Sequence, residues 1–431
     1  MKLKFVNHSS FIIEHNGISL ISDPWLEGRV FNNGWDLISK TKLSYNDFKD
    51  INYIWFSHEH PDHFFPPNLK LIPAEYKKNI TVLFQNTIDG RVVEYCRNAG
   101  FKEIIELHKG KYVELSKDFK VLCEYFSEGD SWITYKVGDI TILNTNDCGI
   151  INKSEADNIK NTIGKVDILL TQFSYAYWTG NKDEVAFRTK VADEKLKSMK
   201  LQCDIFLPTI TIPIASYVYF CHEENFYLND CVNTAEKTYN YLNANTKTTT
   251  VILYNGDEYS FPQIWDSEKS INNYKKDFNE ILLHPERLAK NNSVSIEALI
   301  QQAIIFIDNL NNTNNFLIKG LLKETKIHLS DYNKTFILSL KNKLQETPID
   351  YDKCDVTLSS ESLMFCLKFP YGLDTTQING RFQKPKNGNY TNFYNMFRVD
   401  QQKSRSKEIT PWYLLGALVR KIKRELGFTK G

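Results

Sequence analysis

The segment Ser57-His58-Glu59-His60-Pro61-Asp62-His63 sets three imidazoles and an aspartate within six residues. It directly follows Tyr53-Ile54-Trp55-Phe56, an apolar run of strand length. A loop leaving a strand end can turn such side chains into one cavity. Imidazole suits zinc or iron, and a carboxylate can complete the set. Two metals about 3.5–4 Å apart would share one hydroxide. That hydroxide exists near neutral pH because a metal lowers the pKa of water from about 15.7 towards 7. Residue types and spacing thus point to a metal site.

The elements that must position this loop are legible as a pattern. Alternating runs at 3–6 and 11–13, then Asn16-Gly17 and the run 18–21, predict early strands with a hairpin turn. Further strands are expected at 53–56, 80–84, 111–115, 119–126, 131–136 and 139–145. Later ones are expected at 166–171, 205–207 and 249–254. Helical spacing marks 88–98, 183–199 and 230–243. A strand meander followed by strand–helix pairs implies sheets with helices outside, an α/β arrangement. After about residue 265 the chain becomes rich in Lys, Asn and Leu at helical spacing, and strands are expected again at 356–358 and 363–369. The reading is a metal-binding domain over 1–265 and an accessory α+β domain over 266–431.

Composition removes several function classes. The 431 residues are 42% hydrophobic and 24% charged, with a formal net charge of +1. That charge offers no general attraction for nucleic acid, and no such partner is expected. No apolar stretch of about 18 residues occurs, so no membrane span is expected. The N-terminus lacks the apolar core and cleavage site of a signal peptide. The eight cysteines are scattered without a CxxC pair, which suits reduced thiols, a cytoplasmic location and no cysteine-based zinc site. Phosphate-cradling GxGxxG and GxxxxGK[ST] motifs are missing. Tyr175-Ala176-Tyr177-Trp178-Thr179-Gly180 could wall a substrate pocket, with Tyr177 and Trp178 as contacts. The basic amphipathic stretch from Pro411 to Phe428 reads as a helix covering a domain core rather than lying on a membrane. The oligomeric state stays open.

HxHxDH after a buried strand resembles the metallo-β-lactamase superfamily. The resemblance implies an αββα sandwich, with His58 and His60 on a first metal and Asp62 and His63 on a second. It also implies a bridging aspartate, for which Asp147 in Asn144-Thr145-Asn146-Asp147-Cys148 fits, and a late histidine, for which His222 fits. A third histidine is normally found between the first motif and the bridging aspartate. Only His108 lies in that interval, in a turn, and the expected position falls near Phe126-Ser127-Glu128-Gly129-Asp130. Glu128 or Asp130 would substitute there, favouring iron or manganese over zinc.

Asn7-His8-Ser9-Ser10 with Asp23-Pro24-Trp25 resembles the branch holding ascorbate-6-phosphate lactonases and N-acyl-phosphatidylethanolamine phospholipase D. It implies that His8 touches substrate or a carboxylate beside the metals. Asn144 to Cys148, Leu170 to Ala176, Phe220-Cys221-His222 and Leu373 to Phe382 resemble the lactamase-like part of CMP-N-acetylneuraminate hydroxylases. The paired Cys and His ligands of that family's Rieske domain are not found.

The leading expectation is a hydrolase with one or two divalent metals, zinc first and iron or manganese as alternatives. A metal-bound hydroxide would attack an ester, lactone or phosphodiester of a small molecule, with Asp62 or Asp147 handling the proton. Two alternatives stay open. One is a metal-dependent oxidoreductase on a sugar or nucleotide-sugar-like substrate with a separate electron donor. The other is a non-catalytic binding protein that has lost one ligand.

Overall fold

The computed structural model describes residues 1–127 and 129–404. Glu128 and the stretch from Pro411 to Phe428 lie outside the described residues.

Two seven-stranded sheets face each other. The first runs in the order Glu258–Ser260, Lys2–Asn7, Ser10–His15, Ile18–Ser22, Tyr53–Phe56, Thr81–Gln85, Glu103–Leu107. The second runs Thr249–Thr250, Ile210–Ile214, Ile168–Gln172, Ile140–Asn146, Ser131–Val137, Phe119–Tyr125, Val113–Ser116. Successive side chains on a strand point to opposite faces. Trp55 therefore joins Phe11, Ile13 and Leu83 in the core between the sheets, against Tyr135, Ile142 and Ile212 of the second sheet. Its neighbours Ile54 and Phe56 face outward, under the helix Arg91–Asn98. Both faces of this strand are covered, which explains its uninterrupted apolar sequence. Helices Lys153–Ile163 and Val185–Phe206 cover the outside of the second sheet through Ile159, Met199 and Phe206. The result is the αββα sandwich.

Strands Ile18–Ser22, Tyr53–Phe56 and Thr81–Gln85 are parallel, as are Ile140–Asn146, Ile168–Gln172 and Ile210–Ile214. The loop Ser57–His63 leaves the C-terminal end of its strand, and Asp147 leaves the end of another. Such strand ends, where loops leave a rigid sheet, are where open α/β sheets place ligands.

Beyond the sandwich, helix Glu268–Leu283 packs Tyr274 and Phe278 onto the first core. A second core then forms around helix Ile296–Thr313 and a four-stranded sheet. Its strands run in the order Lys343–Thr347, Lys334–Ser339, Thr325–Leu329, Val356–Leu358. Helices Ser360–Lys368, Gly372–Asn379 and Tyr390–Ser404 complete this α+β part.

Three expectations about elements are corrected. Residues 205–207 end the long helix, where Leu207 takes a left-handed φ of 52°, and the strand lies at Ile210–Ile214. Only Thr249–Thr250 of the run 249–254 is strand. Residues 363–369 are mostly helix: Ser359 caps Ser360–Lys368 by accepting from the Ser362 amide, and Leu363, Cys366 and Leu367 share one buried face. That i, i+3, i+4 spacing decides against a strand. No helix among the described residues is long and apolar enough to cross a membrane.

Candidate metal centre

Asp23 is the organiser of the site. It follows the Ile18–Ser22 strand with φ 40°, a left-handed conformation that Asp tolerates better than most residues. Its carboxylate accepts from the Ser57 amide at 2.8 Å, the Ser57 hydroxyl at 2.9 Å and the Asn146 amide group at 2.6 Å. It also meets His63 Nδ1 at 3.0 Å. One buried carboxylate thereby ties together the loops that leave both sheets. The tight turn at Pro61 is closed by Phe64 N–H donating to the His60 carbonyl at 2.7 Å.

With Nδ1 held by Asp23, His63 presents Nε2 to Asp147 Oδ2 and Asp62 Oδ2, each at 3.2 Å. His58 Nδ1 contacts the Ser57 hydroxyl at 2.9 Å, leaving Nε2 towards His60 Nδ1 at 2.9 Å and Asp130 Oδ1 at 3.7 Å. The far nitrogen of His60, Nε2, meets Asp374 Oδ2 at 3.4 Å. Asp374 belongs to the Gly372–Asn379 helix of the C-terminal part. His8 Nε2 meets Asp62 Oδ2 at 3.3 Å.

These donors fall into three overlapping sets whose ligand atoms lie within 4.8 Å of one another: His58, His60 and Asp130; His58, His63 and Asp147; His8, Asp62 and His63. The donor set fits divalent metal. Imidazole nitrogens and carboxylate oxygens converge, and Asp62 Oδ1, buried, has no hydrogen-bond partner among the described residues. An unpaired buried carboxylate oxygen is costly unless something cationic reaches it. The His58–His60–Asp130 set is two imidazoles and one carboxylate.

The charges interlock. Burial opposes a proton on His60, yet Asp374, Asp62 and Asp130 overcome it and raise its pKa to about 9. Burial likewise opposes charge on His63, and Asp62, Asp147 and Asp23 drive it well above the usual value. Against the same burial, His63 and His8 pull Asp62 well below the carboxylate range. Burial pushes Asp130 up to about 6. A metal must displace the protons these groups share, so binding releases protons.

A cavity of about 380 Å³ opens on the centre. His60, Asp62, Asp130 and Asp147 line one side, and Tyr177, Glu194, Lys195 and Ser198 the other. Lys195 donates to Gln172 Oε1, and Gln172 Nε2 donates to Asp147 Oδ1 at 2.9 Å.

Of the residues expected from sequence, the structure brings His58, His60, Asp62, His63 and Asp147 together. His8 is fully buried against Asp62 and does not line the cavity. Tyr177 lines it; Trp178 does not. The Trp178 ring stacks on Phe382 at 5.2 Å with Lys384 Nζ 3.7 Å above it, because its backbone is drawn to Gln377 of the C-terminal part. His222 belongs to none of the three sets. Its Nδ1 lies 3.5 Å from Glu224 and its Nε2 4.0 Å from Glu361, in a cluster closed by the buried Arg381. The loop is pinned there by Asn225, which donates to the Gly34 and Asn379 carbonyls. Asp374, Lys195 and Gln172 were missed. Asp374 lies inside the hydroxylase-like stretch 373–382, the one signal that could have found it.

Residues 2–192 match the family model described as a beta-lactamase superfamily domain. Over that stretch the chain is similar to the metallo-β-lactamase superfamily. Cytidine monophosphate-N-acetylneuraminic acid hydroxylase of Asterias rubens is 24% identical over 244 residues, 53% of this chain and 36% of that protein. A putative Rieske 2Fe-2S iron-sulfur protein of Mycolicibacterium smegmatis is 24% identical over 201 residues, 44% of this chain and 38% of that protein. The chain thus spans little more than a third of the length of these curated relatives. Among solved structures, a possible metal-dependent hydrolase from Veillonella parvula has a TM-score of 0.46 at 12% identity, covering 61% of this chain and 99% of that one. CmlA, a diiron beta-hydroxylase from Streptomyces venezuelae, has a TM-score of 0.43 at 15% identity, covering 60% of this chain and 54% of that one.

Proposed function

We propose that this protein is an iron-dependent oxidoreductase acting on a small organic substrate, with electrons from a separate donor. The observation that carries the reading is Asp130 beside His58 and His60, where the superfamily resemblance implies a third imidazole. Two imidazoles and one carboxylate with open positions are the donor set of non-haem iron oxygenases. Iron held there would supply dioxygen activation. In a hydroxylation, one oxygen atom enters a substrate C–H bond and the other leaves as water, consuming two electrons and two protons. The hydroxylase and Rieske names of the relatives support this reading.

The protein's own part is positioning. Asp374 holds His60 so that Nδ1 faces the centre, and Asp23 does the same for His63 through Nδ1. Gln172, itself held by Lys195, fixes Asp147. A cavity of about 380 Å³ suits a small molecule.

Hydrolysis of an ester, lactone or phosphodiester is the second reading. It is favoured by Asp62 and Asp147, both on the cavity wall and both against His63, where either could accept a proton from water. Elemental analysis of freshly purified protein separates the two. Iron, with oxygen uptake on adding reductant and none in His58→Ala, is expected. Two zinc per chain with turnover of a phosphodiester or lactone would replace oxidation by hydrolysis.

A further inference from the structure

A second cavity, of about 500 Å³, lies between the sandwich and the C-terminal part. It shares Phe31, His60 and Ile378 with the cavity over the centre, so the two spaces meet at His60. Their characters differ. The first sets carboxylates, Lys195 and Ser198 among apolar groups such as Trp35, Tyr177 and Val191. Phe31, Phe64 and Phe65 from the sandwich and Phe365, Tyr371 and Ile378 from the C-terminal helices line much of the second. The two arginines on its wall are already matched: Arg91 with Glu59 at 2.8 Å and Asp89 at 3.0 Å, and Arg29 with Asp36 at 3.5 Å. Asp374, on the same wall, faces His60 Nε2 at 3.4 Å, so the charged groups of this cavity are matched and a ligand there meets mainly ring edges and faces.

An independent observation marks the shared wall. Phe31, Asn32 and Asn33 have φ of 51°, 54° and 58° in succession. Asn accepts the left-handed region; for a bulky residue such as Phe it is costly. The conformation is held from the C-terminal part. Asn379 donates to the Phe31 carbonyl at 3.0 Å, and Arg381 donates to the Asn32 carbonyl at 2.7 Å. Gly34 is required beside this clamp, because a Cβ there would sit 2.3 Å from Asn379 Cβ. The outcome of this strain is the Phe31 ring, edge-on to His60 with centroids 5.9 Å apart, where both cavities meet. Strain of this kind persists where surrounding structure enforces it, and it gathers at ligand sites.

We infer that the second cavity binds a neutral, planar aromatic ring of the substrate, while the reacting end lies in the first cavity against the His58–His63 centre. This rests on the reading that substrate reacts at that centre. The substrate class is therefore two-part: a flat ring, and a polar end able to meet Lys195. Aryl groups and nucleobases share this ring chemistry, and the probes below distinguish them.

The test is titration calorimetry on the full chain with indole, uridine and cyclohexanol, three neutral probes. Indole or uridine is expected to bind about tenfold more tightly than saturated cyclohexanol. The better of the two identifies the ring as aryl or nucleobase. Phe365→Leu combined with Tyr371→Leu keeps apolar volume and removes two ring faces. Tyr371 is 48% exposed and Phe365 half-buried, and a thermal midpoint checks that the variant stays folded. That variant should lose the planar preference while its metal content stays at the wild-type value. Equal binding of all three probes to wild type would overturn the inference, as would a planar preference that survives the double substitution. His58→Ala should lose metal and keep ring binding. A metal-free wild type that still selects planar probes would sink the metal reading and leave the ring site standing.

Discussion

Two clusters in this protein both set imidazoles among carboxylates and have opposite chemistry. One holds His8, His58, His60 and His63 among Asp23, Asp62, Asp130 and Asp147. The other holds His222 between Glu224 and Glu361. In the second, the chain supplies its own cation: Arg381 donates to Glu224 at 2.7 Å and to Glu361 at 2.5 Å. In the first, among the described residues, the ion pairs of those aspartates are all with histidines. The consequence appears in the imidazoles. Burial and the Arg381 charge depress His222 to about 4, so it is neutral. Carboxylates without a guanidinium raise His60 to about 9. A cluster with an internal cation is closed and structural. One whose carboxylates form their ion pairs with imidazoles alone, with the Lys195 ammonium tied to Gln172 on the far wall, is suited to an external cation.

The largest test of this contrast is Arg381→Met. It leaves Glu224 and Glu361 facing each other across the seam, and breaking a buried pair from one side costs about 3–5 kcal/mol. Urea denaturation should record that loss. A loss below about 1 kcal/mol would mean that the cluster behaves as a surface pair, and the contrast fails.

Next comes pH. An unfolded histidine titrates near 6.5 and His222 in the fold near 4. Between these values the unfolded chain binds the proton and the folded one does not. His222 therefore costs the protein no stability above about pH 6.5, and destabilises it progressively as pH falls towards 4, by on the order of 3 kcal/mol. His222→Gln should lack that slope when its urea curves are compared with wild type. His60 has the opposite sign. Its folded pKa is raised, so in metal-stripped protein its contribution is complete below about 6.5 and is lost as pH rises to about 9.

The smallest effect is expected at Asp374, which orients His60 from the C-terminal part. Asp374→Asn should weaken metal binding by about 10–100-fold, the usual result of removing a carboxylate behind a ligating histidine. Competition titration with a chelating dye would measure it, alongside a thermal midpoint to exclude unfolding. Unchanged affinity would show that His60 is oriented by other groups.

What could be read from the sequence follows the range of each interaction. The loop 57–63 was legible because its donors are neighbours in sequence and follow a strand buried on both faces. Asp147 was legible because it ends a strand. Asp130 was left beside Glu128 as an alternative, since spacing cannot say which of two acids in a turn faces inward. His222 misled because a histidine after a late strand looks the same whether it meets metal or Arg381, and Arg381 is 159 residues away in sequence. Asp374 was unreadable as a partner of His60 across 314 residues. The helix Ser360–Lys368 reads as a strand in sequence because its apolar run is short; the Ser359 cap is the signal that settles it.

The left-handed turn at Phe31–Asn33 has a consequence in time. Its clamps stand 348 and 349 residues further along the chain. At about 5–20 residues per second of synthesis, roughly 20–70 s separate the making of the turn from the making of what holds it. In the last third of that interval, once Ser260 is made, the sandwich strands and the His58–His63 loop exist, while Phe31 has no reason to stay in a costly conformation. The wall shared by both cavities is therefore assembled late. A nascent chain that captures metal early would do so at an open, water-filled centre, before the seam that shapes its ligand site has closed.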